Sequence, residues 1–200
     1  CTCSRKEIAA IASAPHGDEG PRYPGTCRRG PTRPERAAAM RFRFADPSPG
    51  FADRIAGPYP EGAAGGDFVL RRADGMWAYQ LAVVVDDAAA GITEVIRGAD
   101  LLSSTPRQIA LYQALELPVP AFAHVGLVLG PQGRRLSKRF GAPPIEALRE
   151  SGRSPNEVIG MLAQSLGITR SRDPIRPEEL VSAFRIERIP GSSYTWNAEG

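Results

Sequence analysis

Two hundred residues and 21.5 kDa are enough for one or two compact domains, and 42% hydrophobic residues are enough to fill their cores. A charged fraction of 24% with recurrent apolar patterning excludes wholesale disorder, and no apolar run reaches membrane-spanning length. The net charge of +3 tolerates a polyanionic partner without demanding one. Of the 25 basic residues only Lys6 and Lys138 are lysine. That arginine bias reads as composition rather than as an RNA surface, and it singles out Lys138, because a compact ammonium does not behave as a guanidinium. Three cysteines, Cys1, Cys3 and Cys27, make no disulfide framework, so free thiols or a metal site in a reducing cytoplasm fit better. The chain opens on Cys with no secretory leader, which we read as a fragment or a processed product.

In chain order, Ser4 and Glu7 form a capping box that starts a short helix running to about residue 14. Residues 15–34 are rich in Pro, Gly and Arg and read as an irregular loop that cannot build a core by itself. Strands are expected at 41–44 and 67–72, the second followed by an Asp74-Gly75 turn. Residues 79–90 (YQLAVVVDDAAA) are ambiguous: the valines favour a strand, while the alanine tail and Gly91 favour a helix. A β-rich stretch follows at 92–96, then a helix opened by Thr105-Pro106 and reaching about residue 116. A further strand spans 122–129 and closes on the turn 130–133. The last sixty residues read as short helices at 144–150, 155–166 and 177–184, with Val158, Met161, Leu162 and Leu166 at helical spacing. Strand–helix–strand order over 92–129 argues an α/β fold with a parallel crossover.

The run from Asp67 to Arg139, GDFVLRRADGMWAYQLAVVVDDAAAGITEVIRGADLLSSTPRQIALYQAL and then AHVGLVLGPQGRRLSKR, resembles the second half of the catalytic domain of a class I glutamyl-type aminoacyl-tRNA synthetase. Arg135, Leu136, Ser137, Lys138 and Arg139 resemble the family's KMSKS loop. A bare Ser-Lys pair carries no information; its place after a helix, a strand and a Pro-Gln-Gly turn does. Activation of an amino acid expels pyrophosphate from ATP, so a mobile cationic loop that closes over the departing phosphates stabilises the transition state. The resemblance gives that contact to Lys138, with Ser137 assisting. It also implies that Tyr79 and Arg97 bind L-glutamate: a planar guanidinium donates two parallel hydrogen bonds to a carboxylate, and the phenol adds a neutral donor. It favours the helix for 79–90. Asp86, Asp87 and Asp100 also match, in positioning roles.

Cys1-Thr2-Cys3 followed by Tyr23 and Cys27 resembles the metal site of a narrower group in that family, the truncated glutamyl-Q tRNA(Asp) synthetases. Three thiolates around one structural Zn²⁺ need a fourth ligand. The group's Tyr-x-x-x-Cys spacing proposes Tyr23, whereas generic zinc chemistry proposes His16. Zinc would also order a loop that has no core.

The implied fold is therefore α/β: the C-terminal half of a class I Rossmann-type catalytic domain, with a zinc-binding segment at 1–40, the catalytic stretch at 41–142 and a small helical appendage at 143–200. Only 61 residues follow Arg139, which suits the truncated group. The implied activity is activation of L-glutamate by ATP, with Mg²⁺, and its transfer to queuosine in the anticodon of tRNA(Asp), in the cytoplasm and away from membranes. No HIGH-like tetrapeptide occurs in the 200 residues, so they are expected to be inactive alone. Two alternatives are a fragment of a discriminating glutamyl-tRNA synthetase and a non-catalytic zinc-dependent binding module for RNA or protein.

Overall fold

The computed structural model of the chain describes residues 1–11, 23–130, 132–136 and 144–196. These form two compact units. The first comprises Cys1–Asp53, Pro58–Val95 and Asp100–Phe122, the second Arg54–Gly57, Ile96–Ala99 and Ala123–Gly200.

In the first unit, α1 (Arg5–Ile11) starts at the expected capping box: Glu7 donates its amide to Ser4 Oγ at 3.2 Å, and Ser4 donates its amide to the Glu7 carboxylate at 2.7 Å. β1 (Met40–Phe42) pairs antiparallel with β4 (Phe68–Arg71), with an irregularity between Met40 and Arg41. The Asp74-Gly75 turn forms, with Gly75 at φ 88°. Between β1 and β4 lies a hairpin that composition hides, β2 (Phe51–Asp53) with β3 (Gly57–Tyr59). Its strands are three residues each, too short for alternation to register, and the stacked Phe51 and Tyr59 rings, 5.3 Å between centroids, mark the pairing instead.

Residues 79–90 fold as a helix, α2 (Tyr79–Ala89). Its valines lose little by doing so, because Val83, Val84 and Ala88 pack into the apolar core, where Val84 has no exposed surface. The helix ends in a complete Schellman motif: Gly91 at φ 69° donates to the Ala88 carbonyl, and Ile92 donates to that of Asp87. Against α2 packs α3 (Thr105–Ala114), contributing Ile109, Ala110, Leu111 and Tyr112 to a core that Phe44, Phe68 and Phe122 complete. α3 ends in the same motif, but with Glu116 in the left-handed region at φ 55°, which costs a side-chain-bearing residue about 1–2 kcal/mol.

β5 (Glu94–Gly98) and β6 (Ala121–Val125) form one two-stranded sheet, and their carboxyl ends belong to the second unit. The expected single strand 122–129 is broken. Gly126 and Leu127 leave the ladder, and β7 (Val128–Leu129) pairs parallel with β8 (Tyr194–Thr195), a strand absent from the sequence reading. The cause is a close approach of backbone to backbone: a Cβ at Gly126 would overlap the carbonyl oxygen of Ser192, and Tyr194 donates its amide to the Leu127 carbonyl at 2.8 Å. The helices α4 (Ile145–Glu150), α5 (Pro155–Ser165) and α6 (Pro177–Leu180) fill the interval between β7 and β8. α5 carries its own capping box at Ser154 and Glu157 and buries Gly160, Met161 and Ala163. α6 is shorter than the expected 177–184, because after Leu180 the chain continues only as turns.

Candidate functional site

The loop at 23–39 has almost no apolar material to bury, and polar groups fix it. Arg28 clasps Asp67 with two hydrogen bonds of 2.7 Å, and the buried Asp67 carboxylate also accepts the Phe44 amide at 3.0 Å. The Arg28 hydrogen bonds hold the Asp67 carboxyl below its ordinary pKa against the opposing effect of burial. Arg33 and Arg36 both pair with Glu7 on α1, and the Cys1 backbone nitrogen donates to the Ala39 carbonyl at 2.7 Å. The loop is thereby tied to α1 at Glu7, to Cys1, and to Asp67, the residue before β4.

This clasp gathers Cys1, Cys3 and Cys27, whose sulfurs all lie within 4.8 Å of one another. Cys3 Sγ and Cys27 Sγ are 3.6 Å apart, far beyond a disulfide bond and close to the edge of about 3.8 Å that a tetrahedral ion with 2.3 Å bonds to sulfur imposes. Tyr23 is buried beside them, with its hydroxyl 3.3 Å from Cys1 Sγ and accepting the Cys27 amide at 2.6 Å. Cys1, Cys27 and Tyr23 line a small cavity of about 160 Å³ together with Arg28, Arg41, Arg43 and Asp67, and Cys3 beside Cys27 completes a set of three soft donors and one phenol. That donor set suits a borderline-soft four-coordinate ion such as Zn²⁺. His16, the competing fourth ligand, lies outside the described residues.

The electrostatics of the cluster are uneven. Burial raises the Cys27 thiol, but hydrogen bonds from the backbones of Thr32 and Thr2, the Thr32 hydroxyl and Cys3 outweigh it and bring Cys27 down to about 5. Burial pushes the Tyr23 hydroxyl up, opposed by the hydrogen bond from the Cys27 amide. Without an ion, Cys27 is therefore a thiolate at neutral pH and Tyr23 a phenol. Above the Tyr23 ring, 4.1 Å from its centroid, sits the Arg41 guanidinium, a cation placed next to an anionic donor set. Thr2, Thr32 and Arg41 escaped the sequence reading. No spacing rule links them to the cysteines, and only the folded loop does.

The other expected residues stand on separate elements. Tyr79 opens α2 in the first unit and is exposed. The neighbouring Gln80 accepts a hydrogen bond of 2.9 Å from the buried Gln108 of α3, which fixes the start of the helix. Arg97 lies on β5 in the second unit, with its Nε donating to His124 Nε2 at 2.9 Å. Arg135 and Leu136 leave the turn that follows β7. Gly130 donates to the Arg134 carbonyl at 2.8 Å, Leu136 donates to that of Val128 at 2.9 Å, and Gly133 sits at φ 71°. Ser137, Lys138 and Arg139 lie outside the described residues.

The family model for the catalytic domain of class I tRNA synthetases (E and Q) matches residues 2–198. The chain belongs to that family, and its described elements are those of a class I synthetase catalytic domain. Within the family it is similar to the glutamyl-Q tRNA(Asp) synthetases of Symbiobacterium thermophilum, at 54% identity over 95% of this chain, and of Nitratidesulfovibrio vulgaris, at 46% over 95%. It covers 62% of each of those proteins, so the chain spans about three fifths of the length of the curated relatives it matches. Among solved structures it is similar to a glutamate tRNA ligase from Elizabethkingia meningosepticum in complex with its amino acid, with a TM-score of 0.70 and 29% identity over 80% of this chain and 36% of that one. Among the described residues no helix is long and apolar enough to cross a membrane.

Proposed function

We propose that the chain carries the second half of the catalytic domain of an enzyme that activates L-glutamate with ATP and transfers it to queuosine in the anticodon of tRNA(Asp). The observation that carries this reading is the meeting of Tyr23 with Cys1, Cys3 and Cys27, the donor set that the resemblance gives to the narrower group, to members of which the chain is also similar. Cys1, Cys3, Cys27 and Tyr23 would hold one Zn²⁺, which when bound supplies a structural cross-link across a loop without a core. In this reading 1–40 is the zinc-binding segment, 41–142 the catalytic stretch and 143–200 the helical appendage.

The chemistry assigned to the other residues follows from charge. In the first step a glutamate carboxylate oxygen attacks the α-phosphorus of ATP and pyrophosphate leaves. Arg97 holds a substrate carboxylate with its guanidinium and Tyr79 adds a phenolic donor. Lys138, assisted by Ser137 in the loop that Arg135, Leu136 and Arg139 complete, neutralises the charge that builds on the departing Mg²⁺-pyrophosphate. In the second step a hydroxyl of the queuosine cyclopentenediol attacks the adenylate carbonyl and AMP leaves.

Glutamate-dependent ATP–pyrophosphate exchange by the full-length protein tests this. Exchange without tRNA is expected. Exchange only after tRNA is added would favour a discriminating glutamyl-tRNA synthetase instead, and silence in both conditions a zinc-dependent binding module. The 200 residues by themselves, which contain no HIGH-like tetrapeptide, are expected to give none.

A further inference from the structure

We propose that His124 is a positioning residue for the amino-acid substrate: by accepting the Nε–H of Arg97 it fixes the guanidinium and closes its side edge to the substrate carboxylate. The inference rests on the glutamate role of Arg97 given above. His124 lies on β6 with no exposed surface, flanked by the buried Phe122 and Ala123. A polar ring in such a place is stable only when hydrogen-bonded. Arg97 lies half-buried on the neighbouring strand β5, between the exposed Ile96 and Gly98, and its Nε is 2.9 Å from His124 Nε2.

The chemistry of that contact is restrictive. A guanidinium has donors only, so His124 Nε2 must carry the lone pair, and the neutral ring keeps its proton on Nδ1. A carboxylate can approach a guanidinium along the edge formed by Nε and one Nη, or across the end formed by the two Nη groups. With Nε committed to His124, the edge approach is closed. The contact also removes the rotational freedom of a long side chain before substrate arrives, so less entropy is lost on binding.

Steady-state tRNA-independent exchange by the full-length protein, with glutamate and ATP varied in turn, tests the proposal. His124→Leu fills the site without an acceptor and is expected to raise the KM for glutamate about tenfold or more, with the KM for ATP changed less than about twofold. His124→Gln, whose amide oxygen can still accept from Arg97, is expected to stay within about threefold of the parent. A parallel loss for both substrates, or a parent-like glutamate KM in His124→Leu, would overturn the proposal. Arg97→Lys separates the two levels: if it too leaves the glutamate KM unchanged, the substrate role of Arg97 fails, whereas a large effect of Arg97→Lys beside none of His124→Leu overturns only the positioning role. Should His124→Leu not fold, ¹⁵N-histidine NMR of the full-length protein, with the His124 signals assigned by difference against His124→Gln, decides. Protonated Nδ1 with unprotonated Nε2 is expected, and a proton on Nε2 would overturn the proposal.

Discussion

The cysteine loop and the α2–α3 core belong to the same compact unit and are held by opposite physics. The core closes mainly by burial: Val84, Leu111 and Phe122 lie almost wholly out of water, and a hydrogen bond from the buried Gln108 to Gln80 joins the two helices. The loop at 23–39 buries Tyr23 and hardly anything else. It is fixed by the Arg28–Asp67 clasp, the pairing of Arg33 and Arg36 with Glu7, and the convergence of three sulfurs. Non-directional burial tolerates many sequences of the right volume, whereas a directional donor set tolerates almost none. Damage should therefore be graded in the core and abrupt in the loop.

The largest effect is expected at the proposed zinc site. Chelation, or Cys27→Ser, should take bound zinc from one per chain to near zero by elemental analysis, removing about 10 kcal/mol of apparent metal-binding free energy. Proteolysis should then cut within 23–39 while the α2–α3 amides keep their protection from exchange. In the metal-free protein, Cys27 alkylation should reach its plateau soon after pH passes about 5, far below an ordinary thiol. A midpoint near 9 would show that the hydrogen bonds to Cys27 do not act as described.

Next comes the core. Leu111→Ala should cost about 3 kcal/mol in urea unfolding and leave the zinc content unchanged. Zinc lost together with stability would show that the two regions fold as one. Asp67→Asn, which cuts the clasp joining them, should cost about 1–2 kcal/mol, less than a fully buried pair because Arg28 stays half exposed. Its pH dependence has a definite sign: the folded carboxyl is depressed, so its contribution is fully present above the ordinary value near 3.8 and is lost as pH falls through the lower folded value. The gap between parent and Asp67→Asn should accordingly close in strong acid. The smallest effect is Ser4→Ala at the start of α1, about 1 kcal/mol by thermal or urea unfolding, with zinc retained.

The legible parts of this chain were those whose cause is local. The capping box at Ser4, the Thr105-Pro106 helix start and the stop at Gly91 each lie within a few residues of what they control, and all appear in the structure at those places. The three thiols were legible from the residues as free thiols or a metal site, and the donor set with Tyr23 came from the resemblance to the narrower group. What escaped was set by distant contacts. The strand at 122–129 breaks because the backbone at 192–194 arrives against Gly126. For 79–90 the residues alone left strand and helix open, the resemblance favoured the helix, and that helix forms with its valines packed against α3. Arg41 over Tyr23 and His124 against Arg97 had no sequence signal, since 18 and 27 positions separate the partners in the chain.

Sequence by itself determined which residue types are present to do chemistry: three cysteines, a tyrosine, an arginine in IRG, a lysine in an arginine-biased chain. It also determined where some helices begin or end, at Ser4, Thr105 and Gly91, because capping and turn chemistry act over three or four residues. Tertiary structure alone decided which donors meet, which tautomer a buried histidine must hold and where a strand gives way. Those outcomes depend on groups brought within a few ångströms by folding, where hydrogen bonding and excluded volume fall off too steeply for linear spacing to report them.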